Sequence, residues 1–320
     1  MFAETEAAQG VRLPGRPHLG RLVDAARRQG PLPVAVAYPC DVASIRAVGG
    51  AVEAGLVVPM LVGPGARIAR AAEQAGVDVG RWRLHDVGDD PRCAAEEAVA
   101  LCRNGQARIL MKGVLHSDEL LAAAVSREGA LRGTRRASHV FVIDLPGLSR
   151  PLLFTDCVVN IAPDLMAKRD IAQNAIDLAH ALGIARPKLA ILSAVETVSP
   201  SIPGTIDAAS LCKMADRGQI SGAMLDGPLA FDNAISAASA RDKGIASPVA
   251  GEPDILLLPD LEAGNMLYKQ LVYLAGAEVA GVVLGMRVPI VLTSRSDSVA
   301  SRVASCALAI LAAGTRRTSA

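Results

Sequence analysis

Three hundred and twenty residues is about twice a usual domain of roughly 150, so two domains are the starting expectation. Lys and Arg number 33 against 32 Asp and Glu, a net charge of +1 that argues against nucleic-acid or polybasic membrane partners. With 51% hydrophobic residues the chain is not disordered, and with 2% aromatics its core is built from Ala, Val, Leu and Ile and its sites are not stacking platforms.

A mean hydropathy of +0.33 raises the question of a membrane segment. The longest apolar stretch, Val279 to Leu292, is only 14 residues and contains Arg287 and Pro289, whereas a spanning helix needs about 20. The N-terminus, MFAETEAAQGVRLPGRPH, has no apolar core; it reads as a loose leader and not as a signal peptide. Six cysteines, at 40, 93, 102, 157, 212 and 306, form no CxxC pair and read as buried thiols, not as a disulfide frame or zinc site. A cytoplasmic location is expected.

Short apolar runs alternate with stretches of helical period, the pattern of a parallel sheet with crossover helices. In chain order it predicts a strand at 33–38, a helix at 41–54, a strand at 58–62 and a helix at 66–75 stopped by Gly76. A turn-rich stretch, HDVGDDPR, precedes a helix at 93–103, a strand at 108–112 and a helix at 117–125. The rhythm then changes. SHVFVID (138–144) and residues 152–155 flank the turn Pro146-Gly147, a spacing that predicts a hairpin or edge pairing instead of a crossover. Asp164 opens a long helix to Leu182, with Ile171, Ala175, Leu178 and Leu182 on one face. There follow a strand at 188–192, a helix at 205–217, a strand at 222–225 and a helix at 229–240. A strand at 254–258, a helix at 262–274, strands at 279–284 and 288–292 and a helix at 297–313 complete the set, before a frayed basic tail, TRRTSA. With no repeat and no low-complexity linker, a domain boundary is expected in the short crossover near 143–150.

No nucleotide or metal signature is present. Gly63-Pro64-Gly65 supplies the first two glycines of GxGxxG, but Ile68 stands in place of the third, and GxxxxGK[ST], HExxH and GxSxG are absent. The histidines at 18, 85, 116, 139 and 180 lack metal-ligand spacing, and His180 reads as a structural or surface residue, so no metal site is expected.

Ligands of open parallel sheets bind outside the carboxyl ends of the strands. Four segments put polar or small residues there: MKGVLHSDELL (111–121), DCVVNIAPDL (156–165), PDLEAGNMLYK (259–269) and TSRSDS (293–298). One alone reads as a capped turn; four together point to a ligand cleft. In the last, Thr293, Ser294 and Arg295 follow a strand and open a helix, where hydroxyls, helix N–H groups and a guanidinium receive an oxyanion or phosphate. The same residues also read as a Ser N-cap beside a solvated Arg. Asp297 either completes an S-x-x-D capping box or is a carboxylate base beside the anion. Lys112 is a second anion contact or a snorkelling surface lysine, and Arg135 and Arg136 are equally open.

At these residues the chain resembles the phosphate acetyltransferase/phosphate butyryltransferase family. The resemblance is carried by LMKGVLHSDELL (110–121), RRASHVFVIDLPGLSRPLLFTDCVVNIAP (135–163), LSAVETV (192–198), ADRGQISGAMLDGPLAFDN (215–233), DILLLPDLEAGNMLYK (254–269) and VPIVLTSRSDS (288–298). It covers about residues 85–310; the first 80 match only in rhythm. It implies an α/β fold like that of isocitrate and isopropylmalate dehydrogenases, with two mainly parallel α/β domains and a cleft between them. Residues 1–145 plus 293–320 would form the first domain and 146–292 an inserted second, through which members pair as homodimers. The implied reaction moves an acyl group, acetyl or else propionyl or butyryl, between coenzyme A and inorganic phosphate by direct attack in a ternary complex. No metal or redox cofactor is implied.

Ser294 and Arg295 match the family's Ser-Arg pair, assigned to phosphate binding and transition-state stabilisation. Acetyl-specific members carry a catalytic Asp six residues after that Arg, where this chain has Ser301. Asp297, placed as in the butyryl-type branch, is the candidate base. Lys112, Arg136, Ser138, Thr293 and Asn265 are carried over as substrate-binding residues, and Asp226 and Asp260 as either cleft-facing or fold-determining. Of the cysteines only Cys157 lies in these segments, and covalent cysteine catalysis is not favoured. Two alternatives stand beside this reading. One is a metal-dependent dehydrogenase of the isopropylmalate type, whose aspartate run is missing here. The other is an inactive coenzyme A or acyl-phosphate binding protein, motivated by the residue at 301.

Overall fold

The computed structural model describes residues 17–294 and 297–314; the leader up to Arg16, Arg295 and the tail TRRTSA lie outside the described residues. The first half of the chain runs α1 (Pro17–Gln29), β1 (Leu32–Ala37), α2 (Val42–Glu53), β2 (Val57–Gly63), α3 (Gly65–Ala75), β3 (Arg83–Asp86), α4 (Pro91–Arg103), β4 (Ile109–Lys112) and α5 (Ser117–Val125). β5 (Ser138–Asp144) and β6 (Leu152–Thr155) then pair antiparallel, with Val140 opposite Thr155 and Ile143 opposite Leu152. After them come α6 (Leu165–Ala181), β7 (Lys188–Leu192), α7 (Pro203–Asp216), β8 (Met224–Leu229), α8 (Phe231–Ile235) and α9 (Ala237–Asp242). β9 (Ile255–Leu257), α10 (Leu261–Ala275), β10 (Glu278–Leu284), β11 (Ile290–Val291) and α11 (Val299–Gly314) close the chain.

Among the described residues the strands form one 11-stranded sheet in the order β3-β2-β1-β4-β11-β10-β5-β6-β9-β7-β8. It is mainly parallel; the antiparallel pairs are β11 with β10, β10 with β5 and β5 with β6. The β5–β10 ladder runs the full seven residues, from Asp144 opposite Glu278 to Ser138 opposite Leu284, and joins the two parallel halves. Strands such as β1 bury both faces, Val34 and Val36 into one cluster and Ala35 and Ala37 into another, so they read as continuous apolar runs. α11 is buried from Ser301 through Ala313 and packs against α1, α2 and β10, a helix apolar on nearly every side. No helix among the described residues is long and apolar enough to cross a membrane.

Helix starts follow the local chemistry. Asp41, Asp90, Asp164 and Asp260 each accept a backbone N–H from the first turn of α2, α4, α6 and α10, and Gly76 and Gly276 end α3 and α10 in the left-handed region.

The expectations fail where local signals are weak. The leader reading ran to His18, but α1 begins at Pro17; the N–H groups of His18 and Leu19 are accepted by Asp144 Oδ2 at 2.9 and 3.1 Å, a cap delivered from the far end of β5. β3 is a short, largely exposed edge strand with no apolar run. The helix expected over 229–240 is broken. Leu229 still belongs to β8, and Ser236, in extended backbone, ends α8 and caps α9 by accepting the Ser239 N–H. Cys93 is exposed and Cys40 and Cys212 are half-buried, against the expectation that all six thiols are buried.

Candidate active site

β4 and β11 lie side by side and hand over to α5 and α11 at the same edge of the sheet. From the other half, the loop after β6 and the face of α10 approach that edge. Lys112, Thr293 and Ser294 from the first side and Val158, Asn265 and Tyr268 from the second line a cavity of about 260 Å³. A second cavity, of about 450 Å³, shares Tyr268, Ser294 and Asp297 with it and extends to Val272, Glu278 and Ser301. A larger groove of about 960 Å³ between α4 and α5 takes in Asp118 and Glu119 of the 111–121 segment but none of the candidate catalytic or substrate-binding residues.

Lys112 is 6% exposed, so it is not a snorkelling surface lysine; its Nζ donates to the carbonyls of Gly113 and Leu115 at 3.2 Å. Gly113 lets β4 end this close to β1, because a Cβ there would sit 2.4 Å from the Tyr38 carbonyl oxygen. Thr293 is buried in the cavity wall, and its Oγ1 has no hydrogen-bond partner among the described residues.

Ser294 and Asp297 close a tight turn on each other. The Ser294 N–H donates to Asp297 Oδ2 at 2.7 Å, and the Asp297 N–H donates to the Ser294 carbonyl at 3.2 Å. The side-chain cap of α11 is Ser298, whose Oγ accepts the Ser301 N–H, so Ser294 is not the N-cap that one reading made it. Arg302, buried on α11, reaches back and donates to the carbonyls of Ser294 and Asp297 at 2.8 and 3.3 Å, fixing the turn from below. Arg295, between these residues, lies outside the described residues.

On the other wall Asp260 caps α10, which places it among the fold-determining residues, and Asn265 Nδ2 donates to the Cys157 carbonyl at 3.2 Å. Asp156 accepts the N–H groups of Val158, Val159 and Asn160 and the Asn160 side-chain amide. Asn160 Oδ1 in turn accepts from Arg136 Nε at 2.5 Å. Arg136 is exposed, while Ser138 is fully buried and accepts from Asn174 Nδ2 at 2.8 Å. Neither lines the two cavities. Arg135 is tied to Asp177 and Asn174 of α6, and Asp226 accepts from the neighbouring Gly227 N–H.

Burial holds the Asp297 carboxyl above the usual carboxylate range against the Ser294 N–H and the Arg302 and Lys112 charges, with Glu278 adding to the rise. Burial, then the Asp297 charge, pushes Tyr268 up to about 12. Below the cavity a ring stack forms: His139 meets Phe141 edge-on at 4.3 Å, and Phe141 tilts against Tyr268 at 4.4 Å. Complete burial holds His139 neutral, down at about 3. Cys157 is buried beside Asp156, and its thiol is pushed well above its ordinary value, first by burial, which disfavours a thiolate nucleophile. Among the described residues no three His, Cys, Asp or Glu side chains gather as a metal site.

Residues 92–310 match the family model described as phosphate acetyl/butaryl transferase. The chain belongs to the phosphate acetyl/butaryl transferase family. It is 56% identical to the phosphate acetyltransferase of Rhizobium meliloti over 310 residues, 96% of this chain and 97% of that protein. It is 41% identical to the phosphate butyryltransferase of Clostridium beijerinckii over 280 residues, 88% of this chain and 92% of the other. The fold matches a branched-chain phosphotransacylase from Enterococcus faecalis V583 with a TM-score of 0.77 at 31% identity, covering 88% of this chain and 99% of that one. The span matched to the phosphate acetyl/butaryl transferase family holds Lys112, Asn265, Thr293, Ser294 and Asp297 but omits β1 to β3.

The sequence reading missed Tyr268, Phe141, Arg302 and Glu278. Tyr268 was within reach, since it lies three residues after Asn265 and so on the same helix face. Arg302 was signalled by a lone cation in the otherwise uncharged run VASRVASCALAI. Phe141 and Glu278 carry no local signal; pairing of β5 with β10 and the packing of α10 bring them to the site.

Proposed function

We propose that this chain is a phosphate acyltransferase that moves acetyl, or the homologous propionyl and butyryl groups, reversibly between coenzyme A and inorganic phosphate. The observation that carries this reading is the turn from Thr293 to Asp297, where an unpartnered buried hydroxyl, the Lys112 ammonium and a carboxyl of raised proton affinity face one cavity. Lys112, Thr293 and Ser294, together with Arg295, bind phosphate and stabilise the developing oxyanion. Asn265 orients substrate from the α10 wall. Arg136 and Ser138 are assigned to substrate binding by resemblance alone.

In the acyl-phosphate direction a phosphate oxygen attacks the thioester carbonyl, the C–S bond breaks, and Asp297 in its acid form returns a proton to the leaving sulfur. In reverse the Asp297 carboxylate takes the thiol proton, sulfur attacks the acyl phosphate carbonyl, and phosphate leaves. A carboxylate of raised affinity is the better base for a thiol near about 8.5. The burial of Cys157 supports direct transfer in a ternary complex over an acyl-enzyme, and no metal or redox cofactor enters the scheme. Membership of the acyltransferase family sets the dehydrogenase alternative aside.

The proposed architecture is two α/β domains of the isocitrate/isopropylmalate dehydrogenase kind, 1–145 plus 293–320 and an inserted 146–292. Support comes from the β5–β10 junction and from α11, which returns to α1 and α2; β11, although inside 146–292, pairs with β4 of the first domain. The enzyme is further proposed to act in the cytoplasm as a homodimer joined through the second domain. The test is release of free thiol from acetyl-, propionyl- and butyryl-CoA by purified protein without added metal. Release that requires phosphate is expected; coenzyme A binding with no release from any thioester would leave an inactive binding protein.

A further inference from the structure

We infer that Glu278 is a positioning residue that makes Asp297 a stronger base: a second carboxylate anchored by the first turn of α11 and facing the same cavity. The inference rests on the reading of Asp297 as the base of acyl transfer.

Glu278 is the first residue of β10, and its carboxylate is held from the helix rather than from its own strand. Its Oε2 accepts from Ser301 Oγ at 2.7 Å and from Ser298 Oγ at 3.3 Å. Ser298 Oγ also accepts the Ser301 N–H, so the cap of α11 and the anchor of Glu278 are one structure. One turn on, Ser305 Oγ donates to the Ser301 carbonyl and accepts the Gly281 N–H, which stitches α11 to β10 a second time. The two hydroxyl donors converge on one oxygen, an arrangement suited to a carboxylate, which only accepts. Glu278 and Asp297 line one cavity with Ser294, Ser298 and Ser301.

The charges that act on Asp297 come from α11, β4 and β10. Arg302 on α11 and Lys112 at the end of β4 favour its ionised form, whereas Glu278 on β10 opposes it. Tyr268, Lys269 and Tyr273 project from α10 along the shared wall. Asp144, opposite Glu278 in the ladder, turns its carboxylate to the N-terminus of α1. Arg295 lies outside the described residues. Two carboxyls with unlike anchors face one cavity: Glu278 is held by the Ser298 and Ser301 hydroxyls, and Asp297 by the Ser294 N–H.

The test is a carboxyl titration followed by ¹³C NMR on protein labelled at Asp, with Asp297→Asn assigning the Asp297 signal. In Glu278→Gln the Asp297 midpoint is expected to fall by about half a pH unit or more. The acidic limb of kcat/KM should move down with it, leaving about threefold more of the plateau rate on that limb, the same shift expressed as a rate. Ser301→Ala, which frees one anchor of Glu278, should give a smaller shift of the same sign and serves if Glu278→Gln does not fold. An unmoved Asp297 midpoint in a folded variant overturns the inference. Full activity in Asp297→Asn would instead overturn Asp297 as the base, and the NMR midpoint would still decide whether the two carboxyls are coupled.

Discussion

The Thr293 hydroxyl is buried without a partner among the described residues, and a group in that state costs about 1–3 kcal/mol of desolvation. A substrate oxygen would offset it. Thr293→Val is therefore expected to leave the melting temperature unchanged or raise it, while raising the KM for phosphate by about three- to tenfold, the loss of roughly one hydrogen bond. Thermal melts and initial rates on one preparation check both halves. A lower melting temperature with an unchanged KM would mean that the hydroxyl serves the fold. Sequence placed Thr293 and Ser294 correctly after a strand, because the apolar run VPIVL stops there and polar residues follow. It could not place Arg302. That side chain works by folding back five to eight residues onto the Ser294 and Asp297 carbonyls, a contact with no spacing rule of its own.

α10 offers the same contrast at the scale of elements. Its start and end were legible from Asp260 and Gly276, but its seat was not. Gly264, its buried residue, rests on the loop after β6; an added Cβ would lie 2.8 Å from the Asp156 carbonyl oxygen and 3.1 Å from Cys157 Cα. Gly264→Ala is expected to push α10 outward, with a stability loss of about 1–3 kcal/mol from overpacking. Asn265 and Tyr268 move with the helix, so kcat/KM should fall on the order of tenfold to a hundredfold. Urea denaturation and steady-state rates read the two effects, and a folded Gly264→Ala variant at full rate would remove α10 from the site. α1 and β3 escaped the sequence reading for a related reason: one is capped by Asp144 from across the sheet, and the other is held by pairing with β2 rather than by its own apolar pattern.

For the whole molecule the thiols separate direct transfer from a covalent route. Cys93 is exposed, Cys157 is buried, and burial is the largest cause of the high Cys157 value. Alkylation of the native protein with iodoacetamide should modify Cys93 before the buried thiols and leave the rate unchanged, as followed by mass spectrometry and assay. Inactivation in step with labelling of Cys157 would restore an acyl-enzyme. Composition, apolar runs and capping residues determined by themselves that this is a mainly parallel α/β protein and which strand ends carry its polar residues, because burial and capping act within a few residues of where they are written. The meeting of those strand ends was decided only by tertiary structure. The β5–β10 ladder sets two opposed half-sheets side by side, which brings Lys112 of β4, Tyr268 of α10 and Glu278 of β10 around one turn; register between distant strands is fixed by packing both faces at once, and no local pattern records it.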